Sequence, residues 1–442
     1  MKRRDLLTGW AAAAALGPMS AAAAPVSLQA AARDAWLYGL PLIEMAGARV
    51  EATKGVGPNV MVRSSTLTTV SSQKVTTPNN DTLYARAWID LSKGPVTLSL
   101  PASGARYLSV ALMDMYSNNF AVLGTRTTGP QGGVFTLVGP GDFAPATTTT
   151  LMTVRSPTPW VWLLARTLVD GDADLAAANA VQDGVLLTAP KVAAPQGHAN
   201  RNAPWAAYFS SVQALLTENP PPATDLAWLQ AFEPLGLKVV GGFDPGRFSA
   251  AEVAQIEAGV AEAKGMLRSR RRPGPVADGW VYPKANLGEF GQDYLYRAQV
   301  AVSGLAALPG VEAMYMRALS AQGVPTFDSA GRYRLRFAAD RLPPVHSFWS
   351  LTMYEATPEG QAFFTPNAIN RYAIGDRTPG LVKSADGSLE LWLTRQDPGE
   401  ARRANWLPAP AEKPFTIVMR AYLPKDELIQ GSYRLPPLEL LA

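Results

Sequence analysis

Two textures alternate along the chain. Over 28–47, Ala30, Ala31, Ala35, Trp36 and Leu40 fall at helical spacing and predict a helix that Pro41 interrupts. From about 60 to 175 the pattern shifts to short alternating runs broken by turns. VTLSLP (96–101), YLSVALM (107–113), VFTLVG (134–139) and WVWLLARTLV (160–169) predict strands there. Residues 185–222 are proline-rich and predict irregular chain. Helical spacing returns at 249–271, where Ser249 and Glu252 form a capping box, and continues at 293–308 and 311–323. From about 325 onward YRLRFAA, VHSFWSLTMY, SLELWLT and FTIVMRAYL predict strands again.

The two strand-rich stretches repeat one another. GTRTTG (124–129) matches GDRTPG (375–380), and YLSVALMD (107–114) aligns with FWSLTMYE (348–355). WVWLLARTLV (160–169) parallels FTIVMRAYLP (415–424) when Arg166 is set against Arg420. Three matches in one order point to a duplication. The predicted class is α+β and β-rich: two duplicated antiparallel β-sandwich or jelly-roll lobes, an N-terminal helix and a helical insert around 225–323. The expected boundaries are a leader at 1–23, a first lobe at 24–195, a connecting region at 196–324 and a second lobe at 325–442.

The opening residues fit an export signal. Lys2, Arg3 and Arg4 precede an alanine-rich apolar run and small residues suited to cleavage after Ala23. That run is shorter than the roughly 20 residues a membrane span needs. A periplasmic or extracellular location is expected, reached through the twin-arginine translocase, with no membrane-spanning segment. Replacing Arg3 and Arg4 together with lysine is expected to leave unprocessed precursor in the cytoplasm. Undiminished processed protein in the periplasm would overturn the assignment.

Composition narrows the chemistry. There is no cysteine, which removes disulfides, thiolate nucleophiles and cysteine metal sites. The formal net charge is +4, of which the leader residues Lys2, Arg3, Arg4 and Asp5 contribute half. The cluster Arg268, Arg270, Arg271 and Arg272 ends a polar helix before Pro273 and reads as a solvated helix end, so no nucleic-acid partner is expected. His198 and His346 are the only histidines and stand far apart. No transition-metal site or cofactor is expected from them, and no nucleophile elbow, Walker loop or dinucleotide fingerprint occurs.

Carboxylates, amides and tyrosines remain. In PNNDTLY (78–84), Asn80, Asp81 and Tyr84 either close a turn or project into a cleft. In MDMYSNN (113–119), Asp114 ends a strand, followed by Tyr116, Asn118 and Asn119. In the other half Tyr354 and Glu355 take the matching strand end, followed by Asn367, Asn370 and Arg371 in an insertion. Arg126 and Arg377 occupy equal places in the paired turns, each expected either to brace its own Asp114 or Glu355 or to hold an anionic ligand. Amides, carboxylates and aromatic rings suit a polar, hydroxyl-rich ligand such as a small polyol or a polysaccharide. The alternative is a metal-independent carbohydrate hydrolase or lyase with Asp81, Asp114 or Glu355 as its paired acids.

Several longer strings carry a family resemblance. TPNNDTLYARAWIDL (77–91), RYLSVALMDMYSNNFAVLGTRTTG (106–129), DYLYRAQVAVSGL (293–305), PPVHSFWSLTMYE (343–355), FFTPNAINRYAIGDRTPG (363–380), DGSLELWLT (386–394) and NWLPAP (405–410) resemble bacterial proteins that pair domain of unknown function 1254 with domain of unknown function 1214. The likeness covers nearly everything after about residue 30. It implies a two-part β-rich architecture with helices between, in proteins often exported, and implies no particular chemistry.

Overall fold

The computed structural model describes residues 26–70, 76–142, 152–269, 274–358 and 361–441. The leader, a threonine run at 147–150 and Arg270–Arg272 lie outside them. Helix α1 (Leu28–Thr53) starts at Ser27, whose Oγ accepts from the Ala30 amide at 3.2 Å. It runs on through Pro41 instead of stopping there. An interior proline costs about 3 kcal/mol of helix stability. Here Trp36, Tyr38, Leu40, Leu42, Ile43 and Met45 are all buried, and that packing outweighs the local penalty.

The first lobe contains β1 (Val62–Arg63), β2 (Thr82–Asp90), β3 (Val96–Leu100), β4 (Leu108–Met113), β5 (Asn119–Gly124), β6 (Gly133–Val138), β7 (Met152–Arg155), β8 (Trp160–Leu168) and, after α2 (Leu175–Asp183), β9 (Leu186–Thr188). They form two sheets, ordered β1-β2-β8-β4-β5 and β7-β6-β3-β9. Period-two alternation turns Ala87, Val110 and Leu163 of one sheet toward Leu98 and Phe135 of the other, and these share one core.

A helical region follows, with α3 (Trp205–Glu218), α4 (Leu226–Leu229), α5 (Ala250–Ser269) and α6 (Tyr294–Ser303). Helix α3 falls in the stretch expected to be irregular; its buried Tyr208, Phe209, Val212 and Leu216 give it a packed face that the flanking prolines obscure. The capping box at the start of α5 forms as expected, the Ser249 amide donating to Glu252 at 2.8 Å. Helices α1, α3, α5 and α6 build a core with Trp88, Trp160 and Leu164, and so cover part of the outer face of the five-stranded sheet.

The second lobe has β10 (Val276–Ala277), β11 (Trp280–Val281), β12 (Ala313–Ala318), β13 (Arg332–Phe337), β14 (Val345–Ala356), β15 (Ala362–Phe363), β16 (Ala373–Gly375), β17 (Leu389–Thr394), β18 (Trp406–Pro408), β19 (Phe415–Pro424) and β20 (Glu439–Leu441). One sheet runs β10-β11-β12-β19-β14-β15 with β16 also on β14; the other runs β18-β17-β13-β20. The expected helix at 311–323 is strand β12. Met314 and Met316 alternate into the lobe's core while Tyr315 and Arg317 face out, and pairing with β19 overrides local helix propensity.

Corresponding positions share one register. Ser109 stands opposite Gly124 and Arg166, and Ser350 stands opposite Gly375 and Arg420. Tyr84 is paired with Arg166 as Tyr315 is with Arg420. A Cβ on Gly124 would meet the Leu108 carbonyl oxygen at 2.2 Å, and one on Gly375 the Trp349 oxygen at 2.1 Å, so both strand ends need glycine. The outward faces of the two larger sheets meet through Tyr107, Val122 and Leu168 on one side and Phe348 and Tyr422 on the other.

Candidate functional site between the lobes

Alternation decides what enters this contact. Tyr84, Ser109 and Arg166 point outward from the first sheet; Tyr315, Arg317, Ser350, Tyr354, Arg420 and Tyr422 belong to the outward face of the second. The lobes therefore enclose a polar layer. The PNND turn straps across it from the first lobe. Asn79 Nδ2 donates to the Tyr422 hydroxyl at 2.6 Å, Asp81 Oδ2 accepts from Ser350 Oγ at 2.6 Å, and the Pro78 carbonyl accepts from the Tyr354 hydroxyl at 2.6 Å. Asn80 instead turns back to its own lobe, donating to the Thr68 carbonyl at 2.6 Å.

The arginines of this layer have few partners. Arg420, 4 % exposed, donates to Thr352 Oγ1 at 2.8 Å and to the Thr77 carbonyl at 3.0 Å, both neutral acceptors. Arg166, 5 % exposed, donates to the Ala306 carbonyl at 3.0 Å and stands 5.5 Å over the Tyr84 ring. Its Nη1 is buried with no acceptor, and among the described residues no carboxylate pairs with it. A guanidinium stays charged at any ordinary pH, and an uncompensated buried charge costs several kcal/mol. Burial raises the phenols of Tyr107, Tyr315, Tyr354 and Tyr422, so they stand around Arg166 and Arg420 in the neutral form. Tyr84, Tyr315 and Arg317 keep partial exposure, which means that water reaches the layer. Asp376, beside it, accepts from the Trp349 amide at 3.2 Å, and burial pushes its pKa up to about 6.

Two further arginines clamp the rim, and here the expected pairing is corrected. Arg126 reaches across to Glu312 of the second lobe at 2.5 Å, not to Asp114; Glu312 also accepts from the Tyr107 hydroxyl at 2.8 Å. Arg377 reaches back to the Val169 carbonyl at 3.1 Å and Asp170 at 3.6 Å, and covers the Phe348 ring at 4.1 Å. Glu355 pairs with Lys413 at 2.6 Å instead. Each turn holds the opposite lobe because the sheets meet face to face.

The remaining sequence candidates fall elsewhere. Asp114 closes its turn by accepting from the Tyr116 and Asn118 amides, both at 2.9 Å. Asn118 accepts from the Phe290 amide at 3.1 Å, Asn119 donates to the Gly288 carbonyl at 3.0 Å, and the Tyr116 hydroxyl donates to the Asn219 carbonyl at 2.8 Å. This turn anchors the helical region. Asn367 accepts from the Arg371 amide at 3.0 Å, Asn370 takes a positive φ of 49°, and Arg371 donates to the Trp406 carbonyl at 2.8 Å, so the insertion is a braced loop.

A second buried cluster forms around Arg297, which is 1 % exposed. The rings of Tyr38, Tyr116 and Tyr294 lie 4.9, 5.4 and 5.0 Å from its guanidinium carbon. Asp225 stands 3.7 Å from the guanidinium and accepts from the hydroxyls of Tyr38 at 2.9 Å and Tyr294 at 3.0 Å. Sequence reasoning missed this cluster because its members come from four separate segments.

Near it, burial pushes the pKa of Asp114 up to about 6. A carboxyl that holds its proton more tightly when folded favours the folded state at low pH and loses that advantage as pH rises toward 6. Asp114→Asn keeps an acceptor for both amides and removes the titration. Measured against the parent, the variant is therefore expected to gain on the order of 2 kcal/mol of stability between pH 4 and 6 and nothing further above. A stability difference that stays constant from pH 4 to 7 would exclude this.

Residues 58–189 match the family model described as "Protein of unknown function (DUF1254)", and residues 312–426 match "Protein of unknown function (DUF1214)". No curated protein matches the chain. Among solved structures it is similar to the VPA0106 protein of Vibrio parahaemolyticus, at 23% identity and a TM-score of 0.72, covering 94% of this chain and 100% of that one. That likeness shows a shared β-rich fold. An uncharacterized protein from Burkholderia cenocepacia gives 13% identity and a TM-score of 0.46 over 91% of this chain and 87% of its own. Among the described residues no helix is long and apolar enough to cross a membrane.

Proposed function

We propose that this chain, which belongs to the proteins pairing a DUF1254 domain with a DUF1214 domain, is an exported binding protein that holds a small organic acid between two lobes. The observation that carries the reading is Arg166: a buried guanidinium with a free Nη1 and no carboxylate partner among the described residues. An anionic ligand supplies the missing charge, and the hydroxyls of Tyr315 and Tyr422, held neutral by burial, serve as further donors. The lobes themselves are proposed to descend from one duplicated sandwich or jelly-roll unit. Shared strand order and the matched registers around Arg166 and Arg420 support that descent.

A neutral polyol or glycan would use the same amides and phenols but leave Arg166 uncompensated, so it is the weaker reading of this geometry. The paired-carboxylate alternative finds less support still, since Asp81 bonds Ser350, Asp114 closes a turn and Glu355 pairs with Lys413. The test is a thermal-shift screen of the mature protein against acetate, lactate, benzoate and galacturonate, with glucose and glycerol as neutral counterparts. A ligand present at a hundred times its Kd stabilises by about 2.7 kcal/mol, a shift of a few degrees. Saturable shifts from acids alone are expected. Shifts from the neutral compounds alone would overturn the proposal.

A further inference from the structure

The second lobe brings another arginine to the enclosed layer. Each lobe carries a Tyr-x-Arg pair on the strand beside its central arginine, Tyr84 with Arg86 on β2 and Tyr315 with Arg317 on β12. Arg86 is exposed. Arg317 lies two residues beyond Tyr315, on the same outward face and about 7 Å further along the strand. Burial pulls its guanidinium below the ordinary arginine value, and Arg420 beside it adds like-charge repulsion. Among the described residues it has no hydrogen bond and no ion pair.

This part of the face is open. Val281, paired with Arg317 across β11, keeps accessible surface, as do Arg317, Tyr315 and, from the first lobe, Tyr84. Burial nonetheless raises the Tyr315 phenol and lowers the Arg317 guanidinium. Side chains so largely enclosed, yet still reached by solvent, line a recess between the lobes. It opens at the Val281–Arg317 edge and runs past Tyr315 to Tyr84, whose ring lies under Arg166 at 5.5 Å. The Tyr315 phenol feels Arg166 more strongly than Arg420, so Arg166 stands at the inner end of the same recess.

We infer that the ligand is a short dicarboxylate, lying in this recess with one carboxylate on Arg166, the other on Arg317 and Tyr315 alongside its chain. The inference rests on the organic-acid reading above and adds a second charge to the ligand and a second arginine to its site. Charge argues for it first. Arg166, Arg317 and Arg420 face the layer against the carboxylate of Asp81, with Asp376 beside it. A monoacid compensates Arg166 and leaves Arg317 unpaired with a like charge at its side, whereas a diacid offsets both. Geometry argues for it next. A guanidinium grips a carboxylate through two parallel hydrogen bonds, so a fork at each end of the recess selects length as well as charge. Open surface joins the two ends, through Tyr315 and Tyr84.

The experiment measures Kd calorimetrically for succinate, glutarate and adipate, each against the monoacid of equal carbon number: butyrate, valerate and hexanoate. The proteins are the mature parent, Arg317→Met and Arg166→Met. In the parent at least one diacid is expected to bind about tenfold or more tightly than its monoacid, the fold-change of one further charged hydrogen-bonded contact. Arg317→Met should bring that diacid within about twofold of the monoacid and leave the monoacid within about twofold of its parental Kd. Arg166→Met should abolish both. No diacid preference at any length in the parent, or a preference that survives Arg317→Met, with monoacids still lost in Arg166→Met, would overturn the dicarboxylate and leave the organic-acid site standing. Acid binding that persists in Arg166→Met, or no acid binding in the parent, would overturn both. If Arg317→Met fails to fold, Arg317→Gln carries the decision, since it removes the charge and keeps a polar group where solvent reaches.

Discussion

Arg166→Met is expected to raise the melting temperature of the ligand-free protein while removing its affinity for organic acids. Methionine fills a similar length with flexible apolar atoms, and the substitution deletes a buried charge whose only hydrogen bond among the described residues is to the Ala306 carbonyl. Two terms oppose each other. Losing that bond leaves a carbonyl unsatisfied at about 1 kcal/mol, whereas an unpaired buried charge costs several. The net expectation is a gain of about 1–3 kcal/mol, read as a rise of a few degrees. Sites shaped for ligands commonly give up stability in this way. A purely structural arginine predicts the opposite sign, so a clear fall in melting temperature with acid binding intact would defeat the assignment. Arg420 provides an internal comparison. It has three neutral acceptors and lies within electrostatic reach of Asp81, so Arg420→Met should destabilise.

Much of this arrangement is legible in the residues, and the parts that are not fail for identifiable reasons. Strands whose residues alternate in sequence, such as WSLTM (349–353) in β14 and LELWL (389–393) in β17, and the Ser249–Glu252 box follow from local rules. Helix α1 through Pro41 and strand β12 do not, because packing and pairing partners far along the chain decide them. The turn PNNDTLY stands out in the sequence, yet Asn79, which reaches the second lobe, is indistinguishable there from Asn80, which does not. Arg166 and Arg420 are matched positions in WVWLLARTLV and FTIVMRAYLP. An arginine in the middle of an apolar strand with no nearby acid is itself a signal of a special environment, and it marks the site better than the acids do. The insertion with Asn367, Asn370 and Arg371 shows the converse: polar residues clustered in sequence spend their hydrogen bonds on the loop itself.

Arg297 supplies the contrast that gives Arg166 its meaning. Both are almost fully buried, but Arg297 has Asp225 and three aromatic faces, and its neighbours come from α1, the 113–119 turn, the approach to α4, and α6. Asp225 itself is 2 % exposed and takes two phenol hydroxyls, so the cluster fastens those elements from within. Asp225→Asn keeps an acceptor for one phenol but strips the guanidinium of its counter-charge. Breaking one side of a buried pair costs about 3–5 kcal/mol. Asp225→Asn is therefore expected to lower the melting temperature by several degrees, the largest loss among the substitutions considered, and to do so without changing acid affinity at 25 °C. Adding Arg297→Met to that variant should recover a substantial part of the loss, because the charge that lacked a partner is then gone. Differential scanning calorimetry of the two single variants and the double variant measures the coupling directly. Recovery in the double variant assigns the loss to the uncompensated charge. Additive losses would show that Asp225 and Arg297 act independently, and an unchanged melting temperature in Asp225→Asn would show that the cluster does not fasten the helical region at all.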